Sequence, residues 1–271
     1  MDKSEVIVLA GGTGDLGRYL HEELIKDGSY TVALLTRKTD YSPSLPRTTV
    51  HQTEYTESSV LSILDETSAT ALISLIRCDG NEYLPIHTAL VKACLQSETC
   101  KRFIPSEWAG NIETFPHLLR SYAHTRAPLR DILKATAPSD LKWTLVNFGW
   151  FMEYFLPEEK SYMKRIPGEF PVDPMAWTYT VRGTGDEPQG WTYRPFKRSY
   201  RSLEDIAASM AEYDTNPGPQ SDIAELEEWT VTGATACPKD TTLRQREKYF
   251  SGIRFLTIAE MLRKAEVDGH L

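Results

Sequence analysis

Gly11, Gly14 and Gly17 stand at equal spacing in Gly11-Gly12-Thr13-Gly14-Asp15-Leu16-Gly17, directly after the apolar run Val6-Ile7-Val8-Leu9-Ala10. An amphipathic helical pattern follows the last glycine. Strand, glycine turn and helix in that order form the context in which a dinucleotide fingerprint is credible. Each glycine answers a backbone need. Gly11 allows a tight turn off the strand, Gly14 lets a pyrophosphate approach the main chain, and Gly17 lets helix pack on strand. Free amides at the start of the helix then face the phosphates, aided by the helix dipole.

About twenty residues further on, a site that prefers NAD places an acid for the ribose 2′-hydroxyl. Here the second strand, Tyr30-Thr31-Val32-Ala33-Leu34-Leu35-Thr36, runs into Arg37 and Lys38, with no acid before Asp40. A guanidinium fork suits a 2′-phosphate, so these cations predict NADP(H) as the cofactor.

The elements that must position these residues alternate. Strands are expected over 49–53, 69–76, 102–105 and 142–147, and helices over 58–65, 82–100 and 121–135. Short apolar strands alternating with helices predict an α/β fold, a Rossmann-type doubly wound parallel sheet. Residues 1–150 are read as the NADP(H)-binding domain and 151–271 as a smaller substrate-binding region of α+β character. In that second region, helices are expected over 202–213, 241–249 and 257–267, with a strand over 229–232. Glu225, Glu227 and Glu228 read as a solvated face. Trp177, Tyr179, Trp191, Tyr193, Phe196 and Tyr200 supply large side chains for a small core, and one or two of them suffice to select a flat substrate.

Bulk properties narrow the class. The 271-residue chain carries a net charge of −8, which argues against a sequence-independent nucleic-acid binder. No apolar stretch approaches a membrane span. The chain opens on charged residues and enters a strand directly, so no leader is expected and a cytoplasmic location is. Cys78, Cys94, Cys100 and Cys237 lack metal-ligand spacing and read as reduced thiols, with no metal.

The third functional segment is Phe103-Ile104-Pro105-Ser106-Glu107-Trp108, and the fourth is Asn147-Phe148-Gly149-Trp150-Phe151. Together with the glycine turn they resemble the NmrA-like and isoflavone-reductase-like branch of the atypical short-chain dehydrogenases, its fungal members above all. Arg182-Gly183-Thr184-Gly185-Asp186-Glu187-Pro188 resembles that family's substrate-side loop. The resemblance implies hydride transfer between NADP(H) and a small aromatic or carbonyl substrate. It also implies that Tyr55 borders the adenine, while Ile76, Arg77, Asn147 and Phe148 flank the nicotinamide side.

One departure from the family matters. Its reductases carry a lysine in the helix after the fifth strand, and that position falls on Arg126. Arginine holds a ribose hydroxyl but stays protonated at any working pH. Proton delivery then passes to Tyr122, one helical turn before Arg126, where a nearby cation favours the phenolate. His124 is the second candidate, since a histidine's ordinary pKa lies nearest neutrality. Pro128 suits a first helical turn and pulls the helix start towards it. Ser106 is a candidate oxyanion donor, and Glu107 reads as structural.

Three functions fit these residues. The first is an NADPH-dependent reductase of a small metabolite, in secondary metabolism. The second is a non-catalytic NADP(H)-binding regulator with a protein partner, and the third a non-redox isomerase or cyclase on the same scaffold. A homodimer is compatible with each.

Overall fold

Strands β1 (Glu5–Ala10) and β2 (Tyr30–Thr36) show how the sheet is made. In both, side chains alternate between two buried faces. Val8, Ala10, Ala33 and Leu35 enter one apolar cluster, and Ile7, Leu9, Val32 and Leu34 enter the other. A strand buried on both faces is the mark of a parallel sheet covered by helices. The computed structural model describes residues 5–78, 80–108, 110–116, 118, 120–174, 176, 178–183, 197–216 and 221–269. The remaining strands of this sheet are β3 (Thr48–Gln52), β4 (Ala71–Ser74), β5 (Arg102–Ile104) and β6 (Lys142–Trp143).

The six strands run in the order β3-β2-β1-β4-β5-β6, every neighbouring pair parallel. This is the expected Rossmann-type α/β fold. The order reverses between β1 and β4, so ligands are expected outside the carboxyl ends of those two strands. Helices α1 (Asp15–Asp27), α2 (Glu57–Thr67) and α3 (Tyr83–Gln96) make the crossovers. Two strands are shorter than expected. β4 ends at Ser74, placing Ile76 and Arg77 past it, and β6 ends at Trp143, placing Asn147 and Phe148 further still.

The helix expected over 121–135 is broken. It forms α4 (Arg120–His124) and α5 (Arg126–Ala135), with Thr125 between them at φ −116°, ψ −72°. Pro128 has no N–H to give the carbonyl of His124, and its ring clashes with that carbonyl. The Thr125 hydroxyl turns back instead, donating to the Ser121 carbonyl at 2.7 Å. Pro128 becomes the third residue of α5, inside the first turn, where its missing donor does no harm.

The chain divides into two compact units, Met1–Trp108 with Ser121–Val146, and Ala109–Arg120 with Asn147–Leu271. The second holds a small sheet of β7 (Val172–Asp173), β8 (Thr178–Arg182) and β9 (Lys197–Arg201). Its helices are α6 (Leu203–Thr215), α7 (Ser221–Val231), α8 (Lys239–Tyr249) and α9 (Ile258–Val267).

Two expectations fail in this unit. The strand expected over 229–232 is the end of α7, because packing overrides the β-propensity of Thr230, Val231 and Thr232. Trp229 is buried, with its ring against Gly110, and Thr230 and Thr232 donate back to the Leu226 and Glu228 carbonyls. Nor are Glu225 and Glu227 solvated: both are buried. Glu227 accepts from Arg201 at 3.0 Å and lies 3.7 Å from Arg182, so two distant arginines make its burial tolerable. Of the aromatic set, Tyr179 is buried and Tyr200 exposed, while Trp177, Trp191, Tyr193 and Phe196 lie outside the described residues. Residues 184–188 of the expected substrate-side loop do too.

Gly17 gives the fold its sharpest packing constraint. A Cβ there would sit 2.6 Å from the carbonyl carbon and oxygen of Gly12, which are backbone atoms and cannot swing aside. Gly17→Ala is therefore expected to cost about 1–3 kcal/mol. The check is a lower urea midpoint at an unchanged slope.

Candidate active site

The glycine turn is held from three sides. Gly11 has φ +76°, and a Cβ on it would meet the Ile76 backbone nitrogen at 3.0 Å. Its N–H is shared between the Leu35 carbonyl and the Tyr55 hydroxyl, each at 3.2 Å. The Tyr55 hydroxyl in turn donates to the Leu35 carbonyl at 3.0 Å. Tyr55 itself sits at φ +59° and is buried, and that burial pushes its phenol up from the ordinary value. Its hydroxyl is committed to locking β1, β2 and the turn together.

Gly12 and Gly17 are buried, Thr13 meets Thr36 side chain to side chain at 3.3 Å, and Gly14 and Asp15 face outward with Leu16 half-buried. Gly14 begins α1 with no side-chain cap. The first amides of a helix have no intrahelical partner, so they are presented to an anion. A glycine turn at the switch point, with an uncapped helix start behind it, fits a dinucleotide pyrophosphate. Arg37 and Lys38 are exposed beyond β2. The Arg37 guanidinium lies 5.6 Å from the centre of the Tyr55 ring, with Glu54 at 3.7 Å and Glu82 at 3.6 Å. Exposed pairs this long hold little, about 0–1 kcal/mol, and yield readily to a phosphate.

Beyond β4 and β5 the same unit holds a dense polar layer. The Ser106 hydroxyl donates to the Ile76 carbonyl at 2.8 Å, and the Ser106 carbonyl accepts from Tyr83 at 2.8 Å. Ile76 is half-buried and Arg77 exposed. Trp108 donates its indole N–H to the Ser74 carbonyl at 2.8 Å. Glu107 takes the structural role expected of it. Its two carboxylate oxygens accept from Nε and Nη2 of Arg130 at 2.6 and 2.5 Å, both residues buried.

Arg126 is 6% exposed, and its guanidinium lies between two rings, 4.3 Å from the Tyr83 centroid and 4.1 Å from that of Tyr122. Tyr122 and Arg126 thus meet as the one-turn spacing requires, although the helix breaks between them. The cation sits over the ring face of Tyr122. His124 is exposed, the last residue of α4. Nη1 of Arg126 donates to the Thr125 hydroxyl at 3.2 Å, whereas its Nε is buried with no hydrogen-bond partner. Among the described residues no carboxylate lies within ion-pair distance of it. Desolvated cation–π contacts contribute about 2 kcal/mol each, against several kcal/mol for burying an ion.

Tyr83 and His87 were not foreseen, although their four-residue separation on one helix was the available signal. Their rings stack at 3.9 Å. His87 Nδ1 faces the Tyr83 carbonyl at 2.9 Å, so that nitrogen carries the proton and Nε2 accepts from the Ser74 hydroxyl at 3.0 Å. Burial pushes the Tyr83 phenol well up. In the second unit, Asn147 donates to the Gly110 carbonyl at 2.5 Å, and Phe148 packs edge-on against Phe151 at 4.8 Å. Cys94 and Cys100 are buried free thiols 3.8 Å apart. Among the described residues, no helix is long and apolar enough to cross a membrane, and no group of three His, Cys, Asp or Glu side chains could hold a metal.

Comparison with known proteins places this architecture. Residues 11–168, more than half of the chain, match the family model described as NAD(P)H-binding. The oxidoreductase swnR of Metarhizium robertsii is 31% identical over 97% of this chain and 98% of its own, and that of Arthroderma benhamiae 34% over 89% and 73%. The leucoanthocyanidin reductase of Vitis vinifera, solved as a binary complex with NADPH, superposes with a TM-score of 0.66 at 19% identity, covering 97% of this chain and 99% of that one. The chain therefore belongs to the NAD(P)H-binding family, in its NmrA-like and isoflavone-reductase-like branch, and is an oxidoreductase.

Burial pushes His87 down from 6.5 to about 4, with the charge of Arg126 acting in the same sense. The folded protein thus keeps His87 neutral where the unfolded chain protonates it. Its contribution to stability is complete above pH 6.5 and is lost as pH falls towards 4. Urea denaturation across that interval should show stability falling with acidity, with a shallower fall in His87→Gln.

Proposed function

We propose that the chain is an NADPH-dependent reductase of a small aromatic or carbonyl metabolite, working in secondary metabolism. The observation that carries the cofactor reading is Arg37. It stands just beyond β2, beside Tyr55 and past the strand whose Leu35 carbonyl locks the glycine turn, with no acid in the place an NAD-preferring site gives one. The amides that open α1 at Asp15, Leu16 and Gly17 bind the pyrophosphate beside Gly14, whose own N–H is turned back to the Gly11 carbonyl, and Arg37 with Lys38 binds the 2′-phosphate. When bound, the nicotinamide supplies or accepts the hydride. Ile76 and Arg77 bind on that side, and residues 151–271 select the substrate.

The proton is assigned to the Tyr122 phenol. Arg126 lies over that ring and cannot release a proton of its own, so it orients the tyrosine and adds positive charge. His124 is the alternative donor. The Ser106 hydroxyl is engaged by the Ile76 carbonyl, so its use as an oxyanion donor requires it to turn away from that acceptor.

Titration of NADPH and NADH into the purified chain tests the cofactor reading. A charge-assisted bond to the 2′-phosphate contributes about 1.5–3 kcal/mol, about tenfold to a hundredfold in affinity. Arg37→Ala should weaken NADPH by that factor and leave NADH unchanged. Equal weakening of both nucleotides, or of neither, would refute the assignment.

A further inference from the structure

The large apolar side chains that meet water are not scattered. Of the ten found among the described residues, seven lie between Leu243 and Ile258, on α8 and the corner that joins it to α9. Residues 243–258 are exposed without interruption, and α8 buries none of its side chains. A stretch exposed on both sides of a turn projects from the unit that carries it. An apolar patch of this kind marks an interaction site.

The corner has a defined shape. Phe250 ends α8 with its N–H donated to the Arg246 carbonyl at 2.9 Å, and the Ile253 N–H donates to the Phe250 carbonyl at 2.9 Å. The Phe255 ring returns edge-on to Phe250, with 6.0 Å between centres. Thr257 then opens α9 through a reciprocal cap with Glu260, whose carboxylate also pairs with Arg254. Ile253, within the turn, is left 59% exposed.

The rim of the patch is basic. Residues 239–256 hold five cations against two acids, in a chain whose net charge is −8. The Arg246 guanidinium lies 4.2 Å from the centre of the Phe255 ring, and the Lys248 ammonium 4.9 Å from that of Tyr249. Cationic side chains laid along apolar surface keep their heads at the level where that surface meets water. At physiological salt the acidic remainder of the chain is largely screened beyond about 8 Å, so the local charge decides. A protein partner would need an apolar groove to receive a projecting tip. An anionic bilayer needs none: the rings enter the boundary of the acyl chains while the cations meet the headgroups.

We propose that the α8–α9 corner is a docking surface for an anionic lipid bilayer. Phe250, Ile253 and Phe255 insert, and Arg244, Arg246 and Lys248 meet the headgroups. The chain is thereby held on a membrane surface without spanning it, whatever reaction its nucleotide half performs.

The test is co-sedimentation of the full chain with vesicles of phosphatidylcholine, alone or with roughly a quarter phosphatidylserine. The mixed vesicles should be bound about tenfold more tightly or better, since each cation near an anionic surface adds about fivefold. Added salt should reduce that preference. Phe250→Ser with Ile253→Ser should weaken binding to mixed vesicles about tenfold, and Arg244→Gln with Lys248→Gln should remove most of the preference. All four side chains are exposed, so both double variants should keep the wild-type urea midpoint. Binding of the wild-type chain to neither vesicle, or equally to both, overturns the proposal without recourse to a variant. Full binding by a folded Phe250→Ser, Ile253→Ser chain overturns it too, since the lipid contact would then lie elsewhere. So does a wild-type chain that ignores vesicles and self-associates until those two residues are replaced, because the patch would then face a second copy.

Discussion

One small arrangement governs the nucleotide half of this molecule. The Gly11 N–H, the Tyr55 hydroxyl and the Leu35 carbonyl form a closed triangle of hydrogen bonds at the carboxyl ends of β1 and β2. It fixes a left-handed turn that only glycine adopts without strain, with the Ile76 backbone pressed against it from β4's end. The direction of α1, and so the direction in which its first amides point, follows from that turn. Tyr55 has to take a left-handed backbone conformation of its own to deliver its hydroxyl, and such strain persists where the surroundings over-determine it.

Past the ends of β4 and β5 the governing constraint is charge. Buried ions need partners, and the protein supplies one for Arg130 in Glu107. It holds His87 neutral by burial and fixes its tautomer with a carbonyl on one side and a hydroxyl on the other. Against that background the single-sided treatment of Arg126 stands out, with π faces in place of a carboxylate. The layer is rigid because nearly every donor in it points at a backbone carbonyl or a neighbouring side chain. Rigidity of that kind is what a reaction centre needs to hold its groups in place.

Much of this was legible in the sequence because it depends on local pattern. Apolar runs of strand length gave the parallel sheet, and the glycine spacing gave the turn. The errors have physical causes. Pro128 marked a helix start, but its effect on the His124 carbonyl, which splits the expected helix at Thr125, depends on a contact one turn away. Residues 229–232 carry β-branched side chains, yet Trp229 needs a helix to reach Gly110. Glu227 looked solvated because its partners, Arg182 and Arg201, are remote in sequence. Tyr83 and His87 went unnoticed because their meaning lies in Ser74, Ser106 and Arg126, brought together only by the sheet order.

The claim on which the account turns is that the amides opening α1 hold the dinucleotide. Amide hydrogen exchange, with and without NADPH, addresses it directly. Slower exchange over residues 11–17 on adding the nucleotide, with residues 239–258 unchanged, is the predicted result. Binding of NADPH that leaves exchange at 11–17 untouched would contradict it and place the cofactor elsewhere on the chain.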